Sequence, residues 1–147
     1  MNVAYFLTPR SEVGCICDEY TLRQGLEKLK RSGYTALPVV TKENKYVGTV
    51  SEGDFLWNLI EDKGLETIPI RSLERGTVRD VLRPDRNPPV RITADVQELL
   101  GRALNQNFIP VVDDLGSFIG IVTRKDIIKH FVDSNEEEQS TREDRVS

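Results

Sequence analysis

Residues Gly48–Leu56 read GTVSEGDFL, and 72 positions later Gly120–Ile128 read GIVTRKDII. The match runs upstream without a gap to Pro38-Val-Val and Pro110-Val-Val. An internal repeat constrains a fold more tightly than composition does, because each copy is one supersecondary unit. A unit this small cannot bury its apolar faces alone, whereas two packed copies can share a core.

Each copy carries the same order of signals. In the first, Leu22, Leu26 and Leu29 recur at helical spacing, with Glu27, Lys28, Lys30 and Arg31 on the opposite side, and Gly33 breaks the helix. LPVV (37–40), the turn TKEN (41–44) and KYVGTV (45–50) predict a hairpin. Ser51 then opens a helix expected to run to Leu65, with Phe55, Leu56, Leu59 and Ile60 on its apolar side. The second copy repeats this with a short strand at 90–93 and a helix face of Val96, Leu99, Leu100, Ala103 and Leu104. The hairpin FIPVV, DDLG, SFIGIV follows, and then a helix from Thr123 to about Val132. Helices are offset by 74 residues and strands by 72, because GYTALP (33–38) shortens to NFIP (107–110). Each copy is thus β-α-β-β-α, an α+β (two-layer α/β) fold. The expected divisions are 1–63, a linker at 64–76, 77–133 beginning with a short Thr77-x-x-Asp80 helix ended by Pro84, and a tail at 134–147.

Charge and composition exclude several functions. Of 24 acids and 20 bases, six acids and two bases lie between Asp133 and Ser147, leaving eighteen of each elsewhere. A neutral body lacks the basic face that nucleic acid requires. The tail has almost no apolar residue and is expected to be disordered. No apolar run is long enough for a membrane span and no leader pattern opens the chain, so a cytoplasmic protein is expected. Cys15 and Cys17 share a face if they lie on a strand, and with His130 as the one histidine they read as buried thiols, not zinc ligands. Catalysis would need a nucleophile with its base, a GxxxxGK[ST] loop or an acidic metal cluster, and none is present outside the tail and turns. No catalytic residue, metal or cofactor is therefore expected.

The chemistry concentrates at the two strand-to-helix junctions. Ser51-x-x-Asp54 and Thr123-x-x-Asp126 fit a helix cap, in which the hydroxyl accepts from a free N–H and the acid reaches back. The same atoms suit a nucleotide, since a helix start attracts phosphate and a hydroxyl–carboxylate pair can hold ribose hydroxyls. Arg124 and Lys125 oppose the helix dipole unless an anion is present, so they are either a solvated pair or a phosphate contact. The other copy has Glu52-Gly53 there.

LPVV…YVGTVSEGD (37–54) and IPVV…FIGIVTRKD (109–126) resemble a pair of cystathionine β-synthase (CBS) domains, the Bateman module, over about residues 5–132. The resemblance implies two copies related by pseudo-two-fold symmetry, adenine nucleotides in clefts between them, and homodimers. YFLTPRSEVGC (5–15), GYTALPVV (33–40) and NFIPVVDDLGSFIGIVTRKDIIK (107–129) are similar to the small stand-alone CBS proteins that bind cyclic di-AMP. That likeness implies a cleft lined by Gly14, Tyr34, Thr35, Ala36, Thr123, Arg124, Lys125 and Asp126. Tyr34 would flank an adenine, Thr35 bond its edge, Gly14 approach it closely, and Arg124 and Lys125 meet phosphates. Two departures bear on the ligand. Glu12 stands where some members carry a base, with Arg10 as a substitute, and Asp126 keeps AMP, ADP and ATP as alternatives to cyclic di-AMP. A second cleft would pair Ser51 and Asp54 with Asn107 and Phe108. Lacking the Arg-Lys pair, it is expected to be empty or to hold something neutral. The functions in view are a regulatory ligand sensor acting on a separate partner protein and, as the alternative, an oligomerisation scaffold. Trp57 is expected in the core or, like Leu56 and Phe131, at a dimer contact, and Arg71, Arg75, Arg79, Arg83 and Arg86 form a solvated series or a partner-docking surface.

Overall fold

A computed structural model of the chain describes residues 2–63, 70–83 and 85–146. The fold is mixed α/β, and the repeat is realised twice. The first copy comprises β2 (Ile16–Cys17), α1 (Leu22–Ser32), β3 (Ala36–Val40), β4 (Tyr46–Ser51) and α2 (Glu52–Lys63). The second comprises β5 (Val90–Arg91), α4 (Val96–Ala103), β6 (Phe108–Val112), β7 (Phe118–Thr123) and α5 (Arg124–Val146). Before the first lie a 3-10 turn at Val3–Phe6 and the short strand β1 (Thr8–Pro9), and between the copies lie α3 (Ile70–Arg75) and a 3-10 turn at Val78–Val81. The expected end of the second helix at Leu65, residues 64–69 of the linker, Pro84 and Ser147 lie outside the described residues.

Local chemistry sets these boundaries. Thr21 starts α1 with a full capping box on Gln24, and Gly33 ends it in the left-handed region at φ 74°. Within each copy a parallel strand pair joins an antiparallel hairpin, giving sheet orders β2-β3-β4 and β1-β7-β6-β5. Both hairpins slip register at the same place, between Val39 and Val40 and between Val111 and Val112. The equivalent hairpin turns of the two copies also meet one another. Lys45 bridges Ser117, the Tyr46 N–H donates to Gly116 O at 3.2 Å, and reciprocally the Phe118 N–H donates to Asn44 O at 2.8 Å. The Tyr46 and Phe118 rings stack with centroids 6.1 Å apart. The pseudo-two-fold axis therefore passes through the hairpin turns, and Cys15, Val40 and Phe118 form a small core cluster there.

The segments preceding each copy are exchanged. Val3 and Phe6 pack into the second copy's core among Val90, Leu99, Ile109, Val111, Val122 and Ile127. Val78 and Val81 pack into the first copy's core among Ile16, Leu22, Leu29, Val39, Val50 and Phe55. Each such side chain contributes about 1.5–3 kcal/mol through burial. The arm goes further, since β1 pairs with β7, Thr8 opposite Ile121 and Pro9 opposite Gly120. Gly120 is required there, because a Cβ on it would lie 2.2 Å from Thr8 O.

Two expectations change. Helix α5 does not end at about Val132 but continues to Val146, through the stretch whose composition suggests a disordered tail. A polar composition removes the means to bury a face but not the means to form a helix, and this stretch is rich in Glu and Arg with no Gly or Pro to stop it. His130 therefore lies within α5 and not near the end of a helix closing at about Val132. It packs edge-on against Tyr5 (5.0 Å), Phe6 (5.2 Å) and Phe131 (5.6 Å), so the Tyr5-Phe6 pair clasps α5.

Candidate functional site

The hairpins and the exchanged segments enclose a groove of about 550 Å³. Gly14, Tyr34, Thr35, Ala36 and Thr123 line it, and so do Ser51, Asn107 and Phe108. The expected two clefts thus open into one. Strand register explains this. Ala36 lies opposite Ser51 and Phe108 opposite Thr123, and Glu52 N–H donates to Thr35 O (3.1 Å) as Arg124 N–H does to Asn107 O (2.9 Å). Each junction is therefore tied to the start of its own hairpin, and both hairpin starts face the same space.

The rim and the floor differ in chemistry. Gly33 turns the chain out of α1, and the Tyr34 N–H donates to Ser32 Oγ at 3.1 Å. Tyr34 is left on the rim with 67 % of its surface exposed, an aromatic face that no described residue covers. Opposite, Gly14 has room: a Cβ there would meet only Leu37, at 3.6 Å. Thr49 forms part of the floor, and the Tyr46 hydroxyl bridges it (2.8 Å) to Asn87 O (2.8 Å). Burial pushes the Tyr46 phenol up to about 12, partly opposed by the Thr49 hydrogen bond.

At the Thr123 junction the cap is one-sided. The Asp126 N–H donates to Thr123 Oγ1 at 3.1 Å, but among the described residues nothing donates to the Asp126 carboxylate. Lys125 is exposed in the first turn of α5. Arg124 departs from expectation. Its Nε donates to Ala103 O at 2.8 Å, capping the C-terminal end of α4, and its side chain lines a separate apolar depression between α4 and α5. An unpaired carbonyl at a helix end attracts a cation at close range, and here that competes with the groove.

The Ser51 junction is the reverse. Its capping box is complete: Asp54 Oδ2 accepts from Ser51 N–H (2.9 Å) and the Asp54 N–H donates to Ser51 Oγ (3.3 Å). Asp54 is only 4 % exposed, so its charge needs partners. Arg86 Nη1 donates to Asp54 Oδ2 (2.6 Å) and to Ser51 Oγ (3.0 Å), and Arg83 Nε lies 3.5 Å from Asp54 Oδ1. Although this half lacks the Arg-Lys pair, the segment before β5 supplies two cations, Arg83 and Arg86. Arg86 and Asn87 themselves line the groove, and among the described lining residues Arg86 is the one cation and Glu12 the one anion. Arg79 likewise donates from Nε to the buried Asp18 at 3.1 Å, so the arginine series is not simply a solvated face.

Arg86 and Asn87 were not legible as site residues. A signal exists: Val3-x-x-Phe6-Leu7-x-Pro9 recurs as Val78-x-x-Val81-Leu82-x-Pro84, at an offset of 75. That alignment shows the linker to be the second copy's own arm, and hence places Arg86 where Ser11 stands in the first.

The CBS domain model matches residues 6–61 and 78–133. The chain is 28 % identical over 128 residues to cyclic di-AMP receptor B of Bacillus subtilis (strain 168), spanning 87 % of this chain and 84 % of that one. Among solved structures, CbpB in complex with c-di-AMP shares the fold at a TM-score of 0.88 and 23 % identity, over 96 % of this chain and 91 % of that one. CbpB of Listeria monocytogenes in complex with c-di-AMP matches at a TM-score of 0.80 and 25 % identity, over 91 % and 97 %.

Proposed function

This chain belongs to the CBS-domain family, and from that premise we propose that it is a non-catalytic ligand sensor that takes cyclic di-AMP into the groove between its two copies. The observation that carries the reading is the pairing, in one groove, of the exposed aromatic rim of Tyr34 with the Arg86 guanidinium. Stacking a base on an aromatic ring contributes roughly 1–3 kcal/mol, and a groove near 550 Å³ falls within the range of small-molecule sites. Tyr34 carries an adenine, the hydroxyl of Thr35 and backbone of Ala36 meet its edge, Gly14 leaves space for it, and Lys125 receives a phosphate. Arg124 joins it by exchanging Ala103 O for the ligand, a hydrogen bond worth about 1 kcal/mol. Similarity to a cyclic di-AMP receptor over most of both chains supports this ligand.

A second reading rests on Asp126. Its carboxylate has no donor among the described residues, unlike Asp54, and a free carboxylate beside a hydroxyl suits the paired hydroxyls of a ribose. AMP, ADP or ATP is the ligand on that reading. On either one, the signal passes to a separate partner protein, and the active form is a cytoplasmic homodimer. Leu104, Ile128, Phe131 and Val132 leave an apolar face on α4 and α5, and Leu56 and Trp57 another on α2, faces that a second copy would cover. Trp57 accordingly stands outside the core. Among the described residues no helix is long and apolar enough to cross a membrane.

Thermal unfolding against cyclic di-AMP, AMP and ATP tests the proposal. A ligand at 100 times its Kd stabilises by about 2.7 kcal/mol. Cyclic di-AMP is expected to give the largest shift; a larger shift with AMP or ATP selects the second reading, and no shift with any of them leaves the scaffold.

A further inference from the structure

We propose that Arg86 reads a second phosphate, and so discriminates a ligand with two phosphates from a mononucleotide; this rests on the groove being the nucleotide site. Arg86 reaches the groove from the segment before β5, and 34 % of its side chain is open. Its Nη1 is committed to Ser51 Oγ and Asp54 Oδ2, while Nε and Nη2 have no acceptor among the described residues. Those two N–H groups form the edge of a guanidinium that matches two oxygens of a phosphate. The buried pair does not cancel the charge, because Arg83 also approaches Asp54, and Asp54, Arg83 and Arg86 together carry one net positive charge. Lys125 stands exposed two residues beyond Thr123, the end of β7 that lines the same groove. Two cationic points, one at each strand-to-helix junction, therefore suit a ligand with two phosphates. AMP satisfies one point only. Asp54 fixes the guanidinium's direction, so the acceptor site is formed before a ligand arrives.

Titration calorimetry of cyclic di-AMP and AMP against the full chain, Arg86→Gln, Arg86→Lys and the double variant Asp54→Asn/Arg86→Gln tests this. The expected result is a loss of tenfold or more for cyclic di-AMP in Arg86→Gln, with AMP changed less than twofold, and partial recovery in Arg86→Lys. If Arg86 served only to neutralise Asp54, the double variant would restore affinity; on the present account it does not. Equal losses for both ligands, no loss for either, or restoration by Asp54→Asn overturns the assignment. Failure of the unaltered chain to bind cyclic di-AMP instead removes the site reading, and this inference with it.

Discussion

Asp54 and Asp126 stand 72 residues apart at equivalent positions with unlike surroundings, one enclosed by Arg83 and Arg86, the other without a donor among the described residues. The sequence shows both as capping acids with equal force. Their difference comes from the segment before β5, whose Arg83 and Arg86 reach back to the first copy, and no local spacing reveals that. Gly14, in contrast, was expected in the site through the resemblance, and it lines the groove. A Cβ there meets only Leu37 at an ordinary distance. Gly14→Val is therefore expected to shift stability by less than about 1 kcal/mol, within the range for substitutions that create no clash, while lowering nucleotide affinity tenfold or more. Calorimetry beside thermal unfolding checks both halves. Tyr46 gives a pH prediction. Its pKa is raised to about 12 in the fold, so the neutral form is favoured there. The associated stability is intact below the unfolded value of about 10 and is lost as pH rises from there toward the folded value. A two-unit shift corresponds to about 2–3 kcal/mol. Tyr46→Phe is expected to lack this part of the alkaline decline, as denaturant titrations across that window would show.

At the scale of elements, the repeat made the hairpins and principal helices readable, because strand alternation, proline and glycine positions and cap residues all kept one offset. The arm escaped for a physical reason. Its 3-10 turn and two-residue strand have little intrinsic preference, and they are fixed by the other copy's core and by the open edge of β7. Gly120 tests that exchange. Gly120→Ala places a methyl against the Thr8 carbonyl, a backbone atom that must move for it to fit. Gly48→Ala meets the flexible end of Leu82 at 3.0 Å. Both adopt similar positive φ, 156° and 155°, so the backbone strain is shared and the difference isolates the arm. Gly120→Ala should lose about 1–3 kcal/mol more, the range for overpacking, with faster proteolysis at the N-terminal segment. Equal losses in equilibrium unfolding would argue against a tightly held arm.

The whole molecule is a pair of copies clasped by exchanged arms around one groove. This arrangement links the groove to the faces proposed for a second copy, since α5 follows directly on Thr123, which lines the groove, and continues through the exposed Ile128, Phe131 and Val132. Replacing Ile128 and Phe131 together by Glu should convert the proposed dimer to monomer in light scattering, while the core residue Ile127 keeps the helix docked. The central claim is that a nucleotide occupies the space between Tyr34 and the Thr123 junction. A crystal structure with cyclic di-AMP measures this most directly. The account predicts one ligand per chain, an adenine against Tyr34 and phosphates toward Lys125 and Arg86. A groove holding solvent alone at saturating ligand, or the nucleotide bound elsewhere, contradicts it.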